Sequence, residues 1–231
     1  MFNSKYLSGV LLAFCAVISA TATAQTSVWQ VSKGDSKLYI AGTVHMLPPN
    51  QFPLPDAFNQ SYQRAEKVFF EADIRELETA KGAQLLMRHA RYQDGRNLKQ
   101  VLSESTYQQL DQAAASFGIS LKTLNSFKPD FVLLNLMQAT LQRAGMAGEG
   151  VDSYFLQQAL SDNKSLGFLE TPEQQLSLLL NASESQEDEF VKQNLAQFHQ
   201  LEQQLNDIIA AWRSGDTNAL AKLAMAFTDT P

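Results

Sequence analysis

Only four segments of this chain read as β-strands, and all are short: residues 27–32, 37–43, 67–72 and 165–170. Elsewhere apolar residues recur at three- and four-residue spacing, the mark of helices that bury one face. The sheet is therefore small and helices supply most of the core. The expected fold class is α/β (α+β): a small central β-sheet with an N-terminal hairpin, flanked by many helices.

The first two strands are joined by Lys33-Gly34-Asp35-Ser36, a turn sequence, and so form the hairpin. Residues 47–55 hold four prolines and read as loop. Asp56 is the expected cap of a helix reaching residue 66. Further helices are expected over 74–92, 103–117, 129–143 and 151–161. Pro129 opens the most apolar of these, a core helix. Three glycines within 145–150 make a turn. The strand at 165–170 runs into Thr171-Pro172-Glu173-Gln174, where Thr171 caps, Pro172 takes the first helical position and Gln174 reaches back. From 183 one long helix is expected to reach Trp212, carrying Phe190, Val191, Leu195, Phe198, Leu201, Leu205, Ile208 and Ile209 on one stripe. Gly215 ends it, and a last helix follows.

The first 24 residues are expected to be a signal peptide. Lys5 lies in a short basic start, residues 7–18 form an apolar core, and Ala20-Thr21-Ala22-Thr23-Ala24 offers small-residue cleavage sites. Cutting after Ala24 would export the protein to the periplasm or beyond and leave one domain over residues 25–231, of ordinary size. Phe14 before Cys15 argues against lipid attachment. Cys15 is the only cysteine, so the processed chain has no disulfide, thiolate nucleophile or cysteine metal ligand. Loss of Lys5 takes the net charge from −6 to −7, with no run of Lys or Arg. Nucleic acid and anionic membrane surfaces are poor partners for such a chain, and no membrane span is expected once the leader is gone.

Three strands end in groups capable of chemistry. His45 follows Gly42 at the end of the second, Glu71 and Asp73 close the third, and Glu170 closes the fourth. Asp152, at a helix start, is a fourth candidate. If these strands pair side by side in one direction, His45, Glu71 and Glu170 meet at one sheet edge, as residues at strand C-termini do in open sheets. One imidazole and two carboxylates suit Mn²⁺, Fe²⁺, Co²⁺ or Zn²⁺. Singly, each has a plainer role: a loop histidine, a strand-end acid, a helix-start acid. His89 and His199 fit no ligand pattern and read as structural or exposed.

Several ordered motifs resemble the TraB/GumN family of the Tiki-like metalloprotease superfamily. They are Trp29 with Leu38-Tyr39-Ile40-Ala41-Gly42-Thr43-Val44-His45-Met46-Leu47-Pro48, similar to the family's GxxH signature; Ala65-Glu66-Lys67-Val68-Phe69-Phe70-Glu71-Ala72-Asp73; Gly150-Val151-Asp152 with Ala159; and Leu166-Gly167-Phe168-Leu169-Glu170-Thr171-Pro172-Glu173-Gln174-Gln175-Leu176. The resemblance implies metal-site roles for His45, Glu71 and Glu170, with Glu71 or Glu170 binding the ion or taking a proton. It implies supporting roles for Gly42, Asp73, Asp152 and Arg64, and divalent-metal-dependent hydrolysis of a peptide or protein substrate. The family also carries a second GxxH segment near its C-terminus. Residues 213–231 contain no such segment. The expectation is a truncated chain without the family's C-terminal strands, or a degenerate member. The alternative function is a non-catalytic exported binding protein on the same scaffold.

Overall fold

The computed structural model describes residues 26–146 and 148–228, the side chains of 226–228 excepted. The expected leader, its cleavage point and Cys15 lie outside those residues. The fold is mixed α/β with helix predominant, and its strands form small sheets.

β1 (Val28–Lys33) and β2 (Ser36–Ala41) form the expected antiparallel hairpin, pairing Val28 with Ala41 and Lys33 with Ser36. The turn between them needs Gly34, whose φ of 58° lies in the left-handed region. A 3₁₀ turn over Pro49–Gln51 interrupts the proline loop. α1 (Asp56–Arg64) then leads into β3 (Lys67–Phe70). Asp56 is the first residue of α1 and not its cap. Pro55 holds the cap position with no side-chain bond, and the Asp56 carboxylate acts through the helix dipole instead.

The helix expected over 74–92 is two elements, a 3₁₀ segment Ile74–Glu78 and α2 (Ala80–Ala90). Thr79 starts the second by accepting from the Gly82 N–H at 3.0 Å. The 3₁₀ segment folds back against Gly82, so closely that a Cβ there would lie 2.1 Å from the Glu76 carbonyl oxygen. The short α3 (Leu98–Val101) precedes α4 (Glu104–Ala115), which is capped by Ser103. α5 spans Pro129–Arg143 and α6 spans Val151–Ser161. β4 (Ser165–Phe168) pairs in parallel with β3, Lys67 opposite Ser165 and Phe70 opposite Phe168. α7 (Pro172–Leu179) begins with the full capping box of Thr171 and Gln174.

The expected long helix is also divided: α8 (Glu187–Gln197), a 3₁₀ turn over Phe198–Gln200, and α9 (Leu201–Ser214). Its apolar stripe serves two different cores. Phe190, Val191, Leu195 and Phe198 pack with Leu110, Leu121, Val132 and Leu136 of the helical core. Leu205, Ile209 and Trp212 pack with Leu47, Phe58, Phe70, Val151 and Phe155 of a second core. The 3₁₀ turn is where the stripe changes partner. Gly215, at φ 71°, ends α9, and α10 (Thr217–Thr228) follows. Among the described residues, no helix is long and apolar enough to cross a membrane.

Among the described residues the strands form two separate two-stranded sheets, so the hairpin does not join β3 and β4. The edge imagined for three strand ends is replaced by packing of the second core, which sets the loop after β2 against β3 and the start of α6.

Candidate functional site

The loop after β2 is held by its backbone. The Gly42 N–H donates to the Ser27 carbonyl at 2.8 Å, and the Trp212 indole N–H donates to the Gly42 carbonyl at 2.6 Å. The Val151 N–H, first in α6, donates to the Val44 carbonyl at 3.0 Å. The loop before α6 presses on the same segment. A Cβ on Gly148 would lie 2.0 Å from the Leu47 carbonyl oxygen, and one on Gly150 would lie 2.2 Å from that of His45. Two backbones run here at a separation that no side chain can enter.

This packing brings His45, Asp152 and Glu71 together. His45 Nδ1 lies 2.9 Å from Asp152 Oδ2, and its Nε2 lies 3.8 Å from Glu71 Oε2. The His45 and Glu71 side chains are 68% and 54% exposed, whereas that of Asp152 is 21% exposed. Gln175, in the first turns of α7, directs its Nε2 to the same Glu71 oxygen at 3.4 Å.

The electrostatics follow from these neighbours. The contact with Asp152 raises the His45 pKa above its ordinary 6.5; partial burial opposes this, and the charges of Asp152 and Glu71 reinforce it. For Asp152, burial pushes upward, but contacts from His45 and Thr43 and from its own backbone outweigh it and hold the carboxyl below 3.8. Folding therefore tightens proton binding at His45 and weakens it at Asp152. The histidine contribution to stability is complete below pH 6.5 and is lost as pH rises through its raised value. The aspartate contribution is present above 3.8 and is lost as pH falls through its lowered value. Accordingly, the stability gap between the wild type and His45→Gln should be widest below pH 6.5 and narrow as the pH rises above it. Thermal unfolding of both proteins across that range checks this; a gap independent of pH refutes it.

The other predicted site residues lie elsewhere. Glu170 donates its backbone N–H to the Glu71 carbonyl at 2.7 Å, so the two backbones are neighbours. Its position, however, lines an adjacent cleft of about 320 Å³ with Asp73, Glu76, Phe168, Leu169 and Thr171. Both residues lie past the ends of their strands, Glu71 one residue beyond Phe70 and Glu170 two beyond its partner Phe168. Asp73 caps the 3₁₀ segment and holds Arg75 through two side-chain bonds of 2.7 and 2.5 Å. The bond to Arg75 also lowers its pKa against the opposing effect of burial. Arg64 ends α1 at the surface. Gly42 is the anchor for Trp212. Among the described residues, no group of three or more His, Cys, Asp or Glu side chains is placed to hold a metal ion.

Sequence reasoning missed the pairing of His45 with Asp152 and the parts played by Gln175 and the 148–150 glycines. The Gly150-Val151-Asp152 motif was the available signal, since glycine two residues before an acid at a helix start marks a close backbone approach.

The sequence model of the TraB/PrgY/gumN family matches residues 27–230. The chain is similar to the uncharacterized protein YbaP of Escherichia coli strain K12, at 28% identity over 149 residues. It is similar to the YbaP protein of Shigella flexneri to the same extent. Each match covers 64% of this chain and 53% of the relative, so the matched part spans about half the length of these curated proteins. No solved structure matches.

Proposed function

Since the chain belongs to the TraB/PrgY/gumN family, we propose that it is an exported, divalent-metal-dependent hydrolase of peptide bonds whose chemistry centres on His45 and Glu71. The observation that carries this reading is the facing of His45 Nε2 and Glu71 Oε2 at 3.8 Å. The gap is too long for a hydrogen bond, and both groups are open to solvent. An imidazole nitrogen and a carboxylate are hard-to-borderline donors that suit Mn²⁺, Fe²⁺, Co²⁺ or Zn²⁺. The residues thus fit such an ion with two protein ligands, water completing the shell. A bound ion would polarise a carbonyl and acidify a water. Gln175 donates to the same Glu71 oxygen at 3.4 Å. Glu170 lines the neighbouring cleft and takes no part in this pair. Export rests on the basic, apolar and small-residue pattern of the first 24 residues.

A second reading, a non-catalytic exported binding protein on this scaffold, is favoured by the lack of a third converging ligand among the described residues. Calorimetric titration with Mn²⁺ and Zn²⁺ separates the two. Under the first reading the purified protein binds one equivalent, His45→Ala abolishes binding, and Glu71→Gln weakens it about ten- to a hundred-fold. Wild-type binding that His45→Ala leaves unchanged refutes the assignment, and absence of any binding favours the second reading.

A further inference from the structure

Asp152 is the second residue of α6, in its first turn, where the helix dipole favours a negative charge. Its Oδ2 is buried with no fully formed hydrogen bond; Thr43 and the Asp152 backbone also contact the carboxyl, and the His45 ring lies against Oδ2 itself. A buried carboxylate oxygen needs a donor, and the nitrogen 2.9 Å away is His45 Nδ1. An ionised carboxylate can only accept, so Nδ1 carries the proton and Nε2 keeps its lone pair. That lone pair lies on the side of Glu71. The backbone reinforces the pairing. Val151 is bonded to Val44, and Gly150 lies against the His45 carbonyl, so the backbones carrying the histidine and the aspartate are packed directly on each other.

We propose that Asp152 is the positioning residue of the site, locking neutral His45 in the Nδ1–H tautomer so that Nε2 presents its lone pair toward Glu71. The tautomer assignment stands on this geometry alone; its consequence for cation affinity rests on the proposed function. Carboxylate–imidazole pairs that orient a ligand nitrogen in this way raise its basicity and fix its ring.

The test is long-range ¹H–¹⁵N NMR of the imidazoles in metal-free protein at alkaline pH, where they are neutral. The chain has three histidines, and the His45 signals are those missing from His45→Ala. The wild type should show a protonated Nδ1 and an unprotonated Nε2 at His45. Asp152→Ala and Asp152→Asn should move that proton to Nε2, and Asp152→Glu should restore it at least in part. Mn²⁺ affinity should fall about ten- to a hundred-fold in the first two variants. A wild-type His45 with its proton on Nε2 overturns the proposal, whether or not the variants fold. An unchanged tautomer in folded Asp152→Ala overturns it as well. If the tautomer follows Asp152 but the wild type binds no Mn²⁺, the tautomer assignment stands and the metal reading falls.

Discussion

Replacing Trp212 with alanine should destabilise the protein by about 3–5 kcal/mol, the range for emptying a buried aromatic site. Trp212 is 2% exposed in the second core, with its ring centre 5.2 Å from that of Phe58. Its indole N–H is bonded to the Gly42 carbonyl, and its own carbonyl accepts from the Ser27 hydroxyl at 2.8 Å. Truncation therefore opens a cavity and strips the Gly42 carbonyl of its indole partner. Trp212→Phe keeps most of the packing and loses the hydrogen bond, and should cost less, about 1–3 kcal/mol. Urea unfolding of the three proteins measures both steps. A loss below about 1 kcal/mol for the alanine variant would show that α9 does not hold the β2 loop.

Gly150→Ala should damage the site more than the fold. The glycine has φ −78°, which any residue can adopt, so its requirement is steric. An added Cβ would stand 2.2 Å from the His45 carbonyl oxygen, 2.5 Å from its carbon and 2.8 Å from its Cα, all backbone atoms. One of the two segments must move. Either movement separates His45 from Asp152, which lies only two residues beyond the glycine. Overpacking of this kind typically costs about 1–3 kcal/mol. Loss of the supporting contact should lower Mn²⁺ affinity about ten- to a hundred-fold. Calorimetry at a temperature where the variant is folded separates the two effects. Wild-type affinity in folded Gly150→Ala would mean that the close approach does not set the His45 geometry.

Much of the fold is legible locally. The hairpin follows from a glycine-containing turn between two strand-like runs, α5 from Pro129 and its apolar face, and α7 from Thr171-Pro172 with Gln174 three residues after the cap. In each case the signal and the structure involve the same few residues. The two broken helices show where local reading stops. Helical spacing from Phe190 to Trp212 is genuine, but periodicity does not reveal that one half packs against α4 and α5 and the other against α1 and β3. Residues 74–92 likewise read as one helix because the fold-back of Ile74–Glu78 onto Gly82 is a contact between turns.

The site divides in the same way. The sequence alone identified the family, the GxxH histidine and a set of carboxylates at strand ends and a helix start, because residue type and order along the chain carry that information. Parallel pairing of the His45, Glu71 and Glu170 strands entered only as a condition for their meeting, and β3 and β4 meet it while β2 does not. Which carboxylates reach the histidine was decided only by tertiary packing. Glu71 and Glu170 have neighbouring backbones just past β3 and β4, yet Glu71 faces His45 while Glu170 lines the adjacent cleft. Asp152 reaches His45 because two glycines let the loop before α6 run against the loop after β2. That approach depends on backbones far apart in the chain, and the absence of a side chain at Gly148 and Gly150 is its only trace in the sequence.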